Sequence, residues 1–330
     1  MSQNQTSRSL RSRLPGFLQG VDVAVITAFA CIIVLLLVGS LYSSSFLSPE
    51  YLLQQLQVGA FLAMAATGMM LVILLGQIDL SIPWLITIGA MMSTAAAGWG
   101  ESGPAIAIPV GIVSGMAFGL LNGIGVAYLR VPSMIFTLGT NAVMQGLMVV
   151  RTGGAAPQDM STDSMHYLAT GRLIAGIPNA VWIWVIIGAA TVFVLKRTTF
   201  GRSLYAIGNR ERAAYLSGVN TQRIVVLAFV ASGGLSAFGG VLLAGYSTKA
   251  YQGMGDPYLL PAIAAVVLGG TSILGGRGTY LGTVAGVILI TLLQSILSIV
   301  QMPEAGRQVI YGVTIIAMLL LYGRSARLRT

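Results

Sequence analysis

The chain has 330 residues, 55% of them hydrophobic and only 8% charged, with a mean hydropathy of +0.84. That balance excludes a soluble globular protein, in which about 25% of residues carry charge. One cysteine, Cys31, and one histidine, His166, exclude an internal disulfide and a Cys/His metal cluster, and leave few groups for acid–base or nucleophilic chemistry.

Residues 1–20 are polar, with Arg8, Arg11 and Arg13. The apolar run 21–42 is too long for a signal-peptide core and lacks a small-residue cleavage site, so it predicts a retained first helix with a cytoplasmic flank. Further apolar runs cover 52–75 and 82–97, separated by GQIDLS, then 104–129 and 133–150, split by Arg130-Val131-Pro132. A polar stretch, 151–178, holds Asp159, Asp163 and His166 and reads as a loop. The runs 180–195, 224–246, 258–268, 279–300 and 309–322 complete ten. The eighth is short and bounded by glycines, the pattern of a half-helix or an interrupted one.

Runs of about 17–25 residues suit helices that cross a bilayer, and no stretch has the two-residue alternation of a membrane barrel. The predicted fold is all-α: a polytopic transmembrane bundle of about ten helices, with a tail at 1–20, a single membrane domain at 21–323 and a tail at 324–330. Ten crossings from a cytoplasmic start put the N and C termini in the cytoplasm. Fourteen basic residues then fall inside and four outside, as the positive-inside rule requires. The net charge of +9 therefore reports topology, not nucleic acid. Trp99, Trp182 and Trp184 fall at outer helix ends, where an aromatic belt lies. An echo between Leu121-Asn122-x-Ile124…Pro132 and Leu293-Gln294-x-Ile296…Pro303 admits an inverted five-helix repeat, a transporter device.

Gly111, Gly115, Gly119 and Gly123 share one helical face and predict close helix packing. Asp79 in LLGQIDLSIPW precedes a helix start that Ser81 could cap and Pro83 could enter; capping is favoured over contact with a solute. Gln54, Gln55, Gln57, Asn122, Asn141, Gln145 and Gln294 are polar in apolar runs, able to bond solute hydroxyls or one another. LGGTSILGGRGTYLG is not a phosphate-binding loop, since neither Lys196 nor Lys249 is followed by Ser or Thr. Any ATP must be bound by another chain.

The loop 196–223 is the longest basic segment, with six basic residues against Glu211. Its centre predicts a short helix capped by Asn209 and ended by Gly218 after Ala213, Ala214 and Leu216. Such a helix can meet a protein partner or an anionic lipid surface.

Three segments resemble one family. GQIDLSIPWLITIGAM is similar to the Gly-Gly-Ile-Asp-Leu-Ser-Val-Gly signature of ribose-type sugar permeases of bacterial ABC importers, in the branched-chain permease superfamily. Gln77 replaces the second glycine and Ile82-Pro83 the Val-Gly. GRSLYAIGNRERAAYLSGVNTQRIVVLAFVASGGLSAFGG resembles that family's cytoplasmic coupling segment, and VVLGGTSILGGRGTYLGTVAGVILI its C-terminal half. The resemblance extends over residues 45–322. It implies an inner-membrane subunit without an ATPase site or cofactor of its own, ATP and Mg being bound by a partner ATPase. It also implies a homodimer in membrane lipid that receives a monosaccharide from a periplasmic binding protein. Gly208, Asn209, Glu211, Ala213, Ala214 and Gly218 are then the ATPase-coupling residues. Gln77, Asp79, Asn122, Asn141, Gln145 and Gln294 are the candidate path residues. The alternative is an ion-coupled secondary transporter of a small polar solute, for which Asp79 is the candidate ionisable group.

Overall fold

A computed structural model describes residues 23–155 and 159–327. The predicted tail 1–20 and residues 328–330 of the C-terminal tail lie outside the described residues. The described chain forms twelve α-helices. In order they are α1 (Val23–Tyr42), α2 (Pro49–Leu74), α3 (Ile82–Ala97), α4 (Gly103–Ala127), α5 (Ser133–Thr152) and α6 (Asp163–Thr170). They continue with α7 (Asn179–Arg197), α8 (Thr199–Leu216), α9 (Thr221–Ser247), α10 (Leu259–Leu268), α11 (Tyr280–Ile299) and α12 (Glu304–Arg327).

Each of the ten apolar runs is a helix, and α6 and α8 are the additions. Helix α8 was expected, though shorter; α6 was not. The sequence 159–170 is polar overall, but Thr162 accepts a bond from the Met165 amide (3.2 Å) and so caps a two-turn helix. That helix buries Met165 and Ala169 against α9, and His166 Nδ1 lies 3.0 Å from the Gly245 carbonyl. His166 thus ties α6 to α9 by a hydrogen bond. Among the described residues, six helices are long and apolar enough to cross a membrane: α2, α4, α5, α7, α9 and α11.

Helix α2 is the central pillar. Ser48 caps it, Pro49 opens it, and every residue from 59 to 75 is buried. An all-round apolar helix is stable only when other helices enclose it; here α9, α11, α10 and α7 do so. Helix α4 packs most closely on α9 along the predicted glycine face. A Cβ at Gly115 would stand 2.4 Å from the Gly233 carbonyl oxygen, and one at Gly119 2.4 Å from that of Phe229. The stripe therefore packs helices, as read from its spacing. Helices α4, α5 and α7 turn apolar side chains outward, Val113, Leu138, Val143 and Phe193 among them, toward what would be lipid.

Two segments are interrupted. The chain leaves α2 through Gly76 (φ +76°) and enters α3 six residues later. After the ten-residue α10 it runs through 269–279, where Gly270, Gly275, Gly276 and Gly278 all have positive φ, before α11. The short eighth run is thus a half-length helix followed by a glycine loop.

Candidate functional site

The break between α2 and α3 carries a buried polar hub. Two of its amides, those of Ile78 and Leu80, have no helical partner, so side chains from α5 serve them. The Ile78 amide donates to Ser133 Oγ (3.3 Å) and the Leu80 amide to Thr137 Oγ1 (2.9 Å). Asp79 is fully buried. One carboxylate oxygen accepts from the amide of Ser81 (3.0 Å) and from its hydroxyl; the other accepts from Ser232 Oγ of α9 (3.1 Å). Asn122 of α4 donates to Ser81 Oγ (2.8 Å). Three donors stand in for the cation that a buried carboxylate otherwise needs. One acid thereby joins α3 and α9, and through Ser81 also α4.

The helix cap expected from Ser81 is not made. Ser81 makes no side-chain cap; Asp79 takes the Ser81 amide, and the Ser81 hydroxyl serves Asp79. Asp79 also lies deep in the protein interior.

A second cluster sits beside the break. The Leu74 carbonyl ends α2 and accepts from the Gly276 amide (2.9 Å), which ties the two interrupted segments together. Gly208 of α8 is wedged into this junction: a Cβ there would stand 1.9 Å from the Leu74 oxygen and 2.4 Å from the Gly276 nitrogen. Only glycine allows that approach. Asn209 donates to the carbonyls of Tyr205 (2.9 Å) and Gly276 (3.3 Å), and Tyr205 Oη to that of Gly278 (3.0 Å). Helix α8 is therefore fastened to α2 and to the glycine loop at once.

Asn209 is not the helix cap. Helix α8 begins eleven residues earlier, at a Thr198 cap over the Gly201 amide (3.2 Å), and breaks at Arg210 (φ −158°, ψ 100°). The Asn209 side chain is committed to the junction, and the chain resumes as a short tip, 211–216. Gly218 (φ +84°) ends that tip, as expected, with the Val219 amide returning to the Ala214 carbonyl (3.1 Å).

The candidate coupling residues thus differ in their surroundings. Gly208 and the buried Ala214 face the protein, Asn209 is exposed but bonds the Gly276 carbonyl, and Ala213 and Gly218 are exposed. Glu211 pairs with Arg130 at 3.1 Å, both well exposed. The tip also displays Tyr215 and Leu216, 67% and 80% exposed.

Of the candidate path residues, Asp79 and Asn122 meet in the hub. Asn141 lies one turn beyond Thr137 on α5, and its Oδ1, like that of Asn122, is buried without a hydrogen-bond partner. Gln77 is half-buried beside the junction, its amide bonded to the Val72 carbonyl (3.2 Å), and Gln145 is exposed on α5. Gln294 is on α11, which packs on α1, α2 and α10, so the hub does not gather it. Gln57 instead bonds the Ala169 carbonyl (2.8 Å), a helix–helix role. Ser133, Thr137 and Ser232 were missed, because a hydroxyl in an apolar helix usually returns to its own backbone and gives no sequence signal.

Residues 51–319 match the family described as branched-chain amino acid transport system / permease component. The chain belongs to this family. It is 35% identical to the ribose import permease protein RbsC of Bacillus subtilis over 295 residues, which is 89% of this chain and 91% of that protein. The RbsC of Haemophilus influenzae is 32% identical over 296 residues, with coverage of 89% and 91%. The autoinducer 2 import system permease protein LsrC of Escherichia coli is 30% identical over 299 residues, 91% of this chain and 86% of that one. No solved structure matches. The ribose-type resemblance read from the motifs is upheld. This permease is a multi-pass subunit of an ABC importer in the bacterial inner membrane, and ATP is handled by a partner chain.

Proposed function

We propose that this permease forms the translocation path for a ribose-like monosaccharide, delivered by a periplasmic binding protein and driven by a separate ATPase. Relatives named for ribose import, matched over nine-tenths of their length, support the cargo class. Two copies make one transporter. Each chain crosses ten times with both termini in the cytoplasm, a reading supported by the distribution of basic residues. Two interrupted segments that meet at one junction favour an inverted repeat.

The observation that carries the mechanism is the wedging of Gly208 between Leu74 and Gly276. The exposed tip 211–218 docks on the ATPase, with Tyr215 and Leu216 as apolar contacts and Ala213 and Gly218 allowing close approach. The inner face of α8 passes the movement to the end of α2 and to the glycine loop together. Because α2 leads directly into the break, the Asp79 hub repacks and the helices around it rock apart. The hub is closed to water here; once opened, Asn122 and Asn141 offer unpaired amide oxygens to sugar hydroxyls. Selectivity resides mainly in the binding protein, since a tight site midway would slow release.

The test is reconstitution with the ATPase and binding protein. Tyr215→Asp with Leu216→Asp, both on the exposed tip, should abolish ATPase co-purification and sugar-stimulated hydrolysis while the permease stays inserted. Transport by the wild-type protein in ATP-free proteoliposomes under an ion gradient would replace this reading with the secondary transporter.

A further inference from the structure

An apolar groove of about 770 Å³ runs between α7 and α11. The two helices barely meet, approaching around Gly188 and Tyr280, where a Cβ on Gly188 would touch the Tyr280 ring at 2.8 Å. Val185, Val192, Phe193, Leu281 and Val284 wall the gap, and no acidic residue lines it. Charge is confined to one end, where Lys196 and Arg197 close α7. Neither side chain has an acidic partner among the described residues. At the groove's floor, Leu56, Trp184 and Ile288 also line a second apolar cavity of about 170 Å³, which continues beneath Ile32 and Leu36 of α1.

We propose that this groove binds an anionic phospholipid, its phosphate on Lys196 and Arg197 and one acyl chain laid along α7 toward Trp184. The dimensions suit that occupant. From residue 181 to 196 a helix rises about 22 Å, more than the roughly 15 Å half-thickness of a bilayer's hydrocarbon core, so a chain from one leaflet fits extended. The charge suits it too, because a basic pair at the mouth of an otherwise apolar slot complements a headgroup and tail in that order. A second copy fits less well. A two-fold axis along the membrane normal keeps both grooves the same way up, so it would set two Lys196–Arg197 pairs at one level, where like charges repel. The inference rests on the membrane location of the permease and is independent of its cargo.

The full-length permease, purified in detergent, would be titrated with dioleoyl phosphatidylglycerol or dioleoyl phosphatidylcholine and bound lipid counted by native mass spectrometry. Phosphatidylglycerol should bind about tenfold more tightly or better, since each basic residue near an anionic headgroup contributes a factor of about five. Lys196→Gln with Arg197→Gln should erase that preference and leave phosphatidylcholine binding unchanged. Ala189→Trp, which fills the exposed groove without entering the core, should reduce binding of both lipids. Equal affinity for the two lipids in the wild-type protein would overturn the proposal. So would unchanged lipid binding in the Ala189→Trp variant, and conversion of a dimer to a monomer by that change would assign the groove to a second copy.

Discussion

Gly208→Ala is the smallest change that tests how movement of α8 reaches the membrane helices. The added carbon would lie 1.9 Å from the Leu74 oxygen and 2.4 Å from the Gly276 nitrogen, both backbone atoms that cannot swing aside. Separation beyond 3.0 Å, below which real contacts essentially never fall, requires α8 to retreat by about 1 Å. The bond from Asn209 to the Gly276 carbonyl, already 3.3 Å, would then exceed hydrogen-bonding range. Losing it costs about 0.5–1.5 kcal/mol, and the overpacking about 1–3 kcal/mol. The exposed tip is untouched, so the ATPase should still co-purify. Binding-protein-dependent uptake into proteoliposomes should nevertheless fall at least tenfold, an order set by about 1.4 kcal/mol of lost coupling. Size-exclusion profiles and membrane yield guard against misfolding as the cause. Uptake within twofold of wild type, with the complex intact, would refute the claim that α8 acts through this wedge.

Other changes probe the remaining parts. Asp79→Asn leaves the Ser232 hydroxyl and the Ser81 pair facing an amide that cannot accept on both sides, so thermal stability in detergent should drop by about 1–3 kcal/mol equivalent and uptake should fail. An unchanged melting temperature would remove Asp79 from the hub's structural role. Gly115→Leu forces α4 from α9 at a point with 2.4 Å of clearance to the Gly233 carbonyl; a loss of about 3 kcal/mol or failure to insert is expected, and normal expression with wild-type stability would contradict the seam. Arg130→Ala breaks only an exposed ion pair with Glu211, so stability should change by less than about 1 kcal/mol; a larger shift in the melting curve would mean the pair anchors the tip.

Much of this permease was legible in its residues. Ten apolar runs became ten helices because an apolar segment held away from water must satisfy its backbone internally. The four-residue glycine stripe named a helix seam, since such spacing keeps one face bare. Gly218 ended the tip of α8 at the position its lack of a side chain suits. What tertiary structure alone decided was partnership. Asn209 has the composition of a cap, yet it spends its amide on Gly276, sixty-seven residues away. Ser133, Thr137 and Ser232 look like ordinary hydroxyls in apolar helices until the break at 76–81 presents unpaired amides and a carboxylate to them. The polar helix α6 exists because Met165 and Ala169 find α9. Local propensity is written in neighbouring residues; the choice among distant donors and acceptors is made only when packing excludes water and leaves each buried polar group one partner to find.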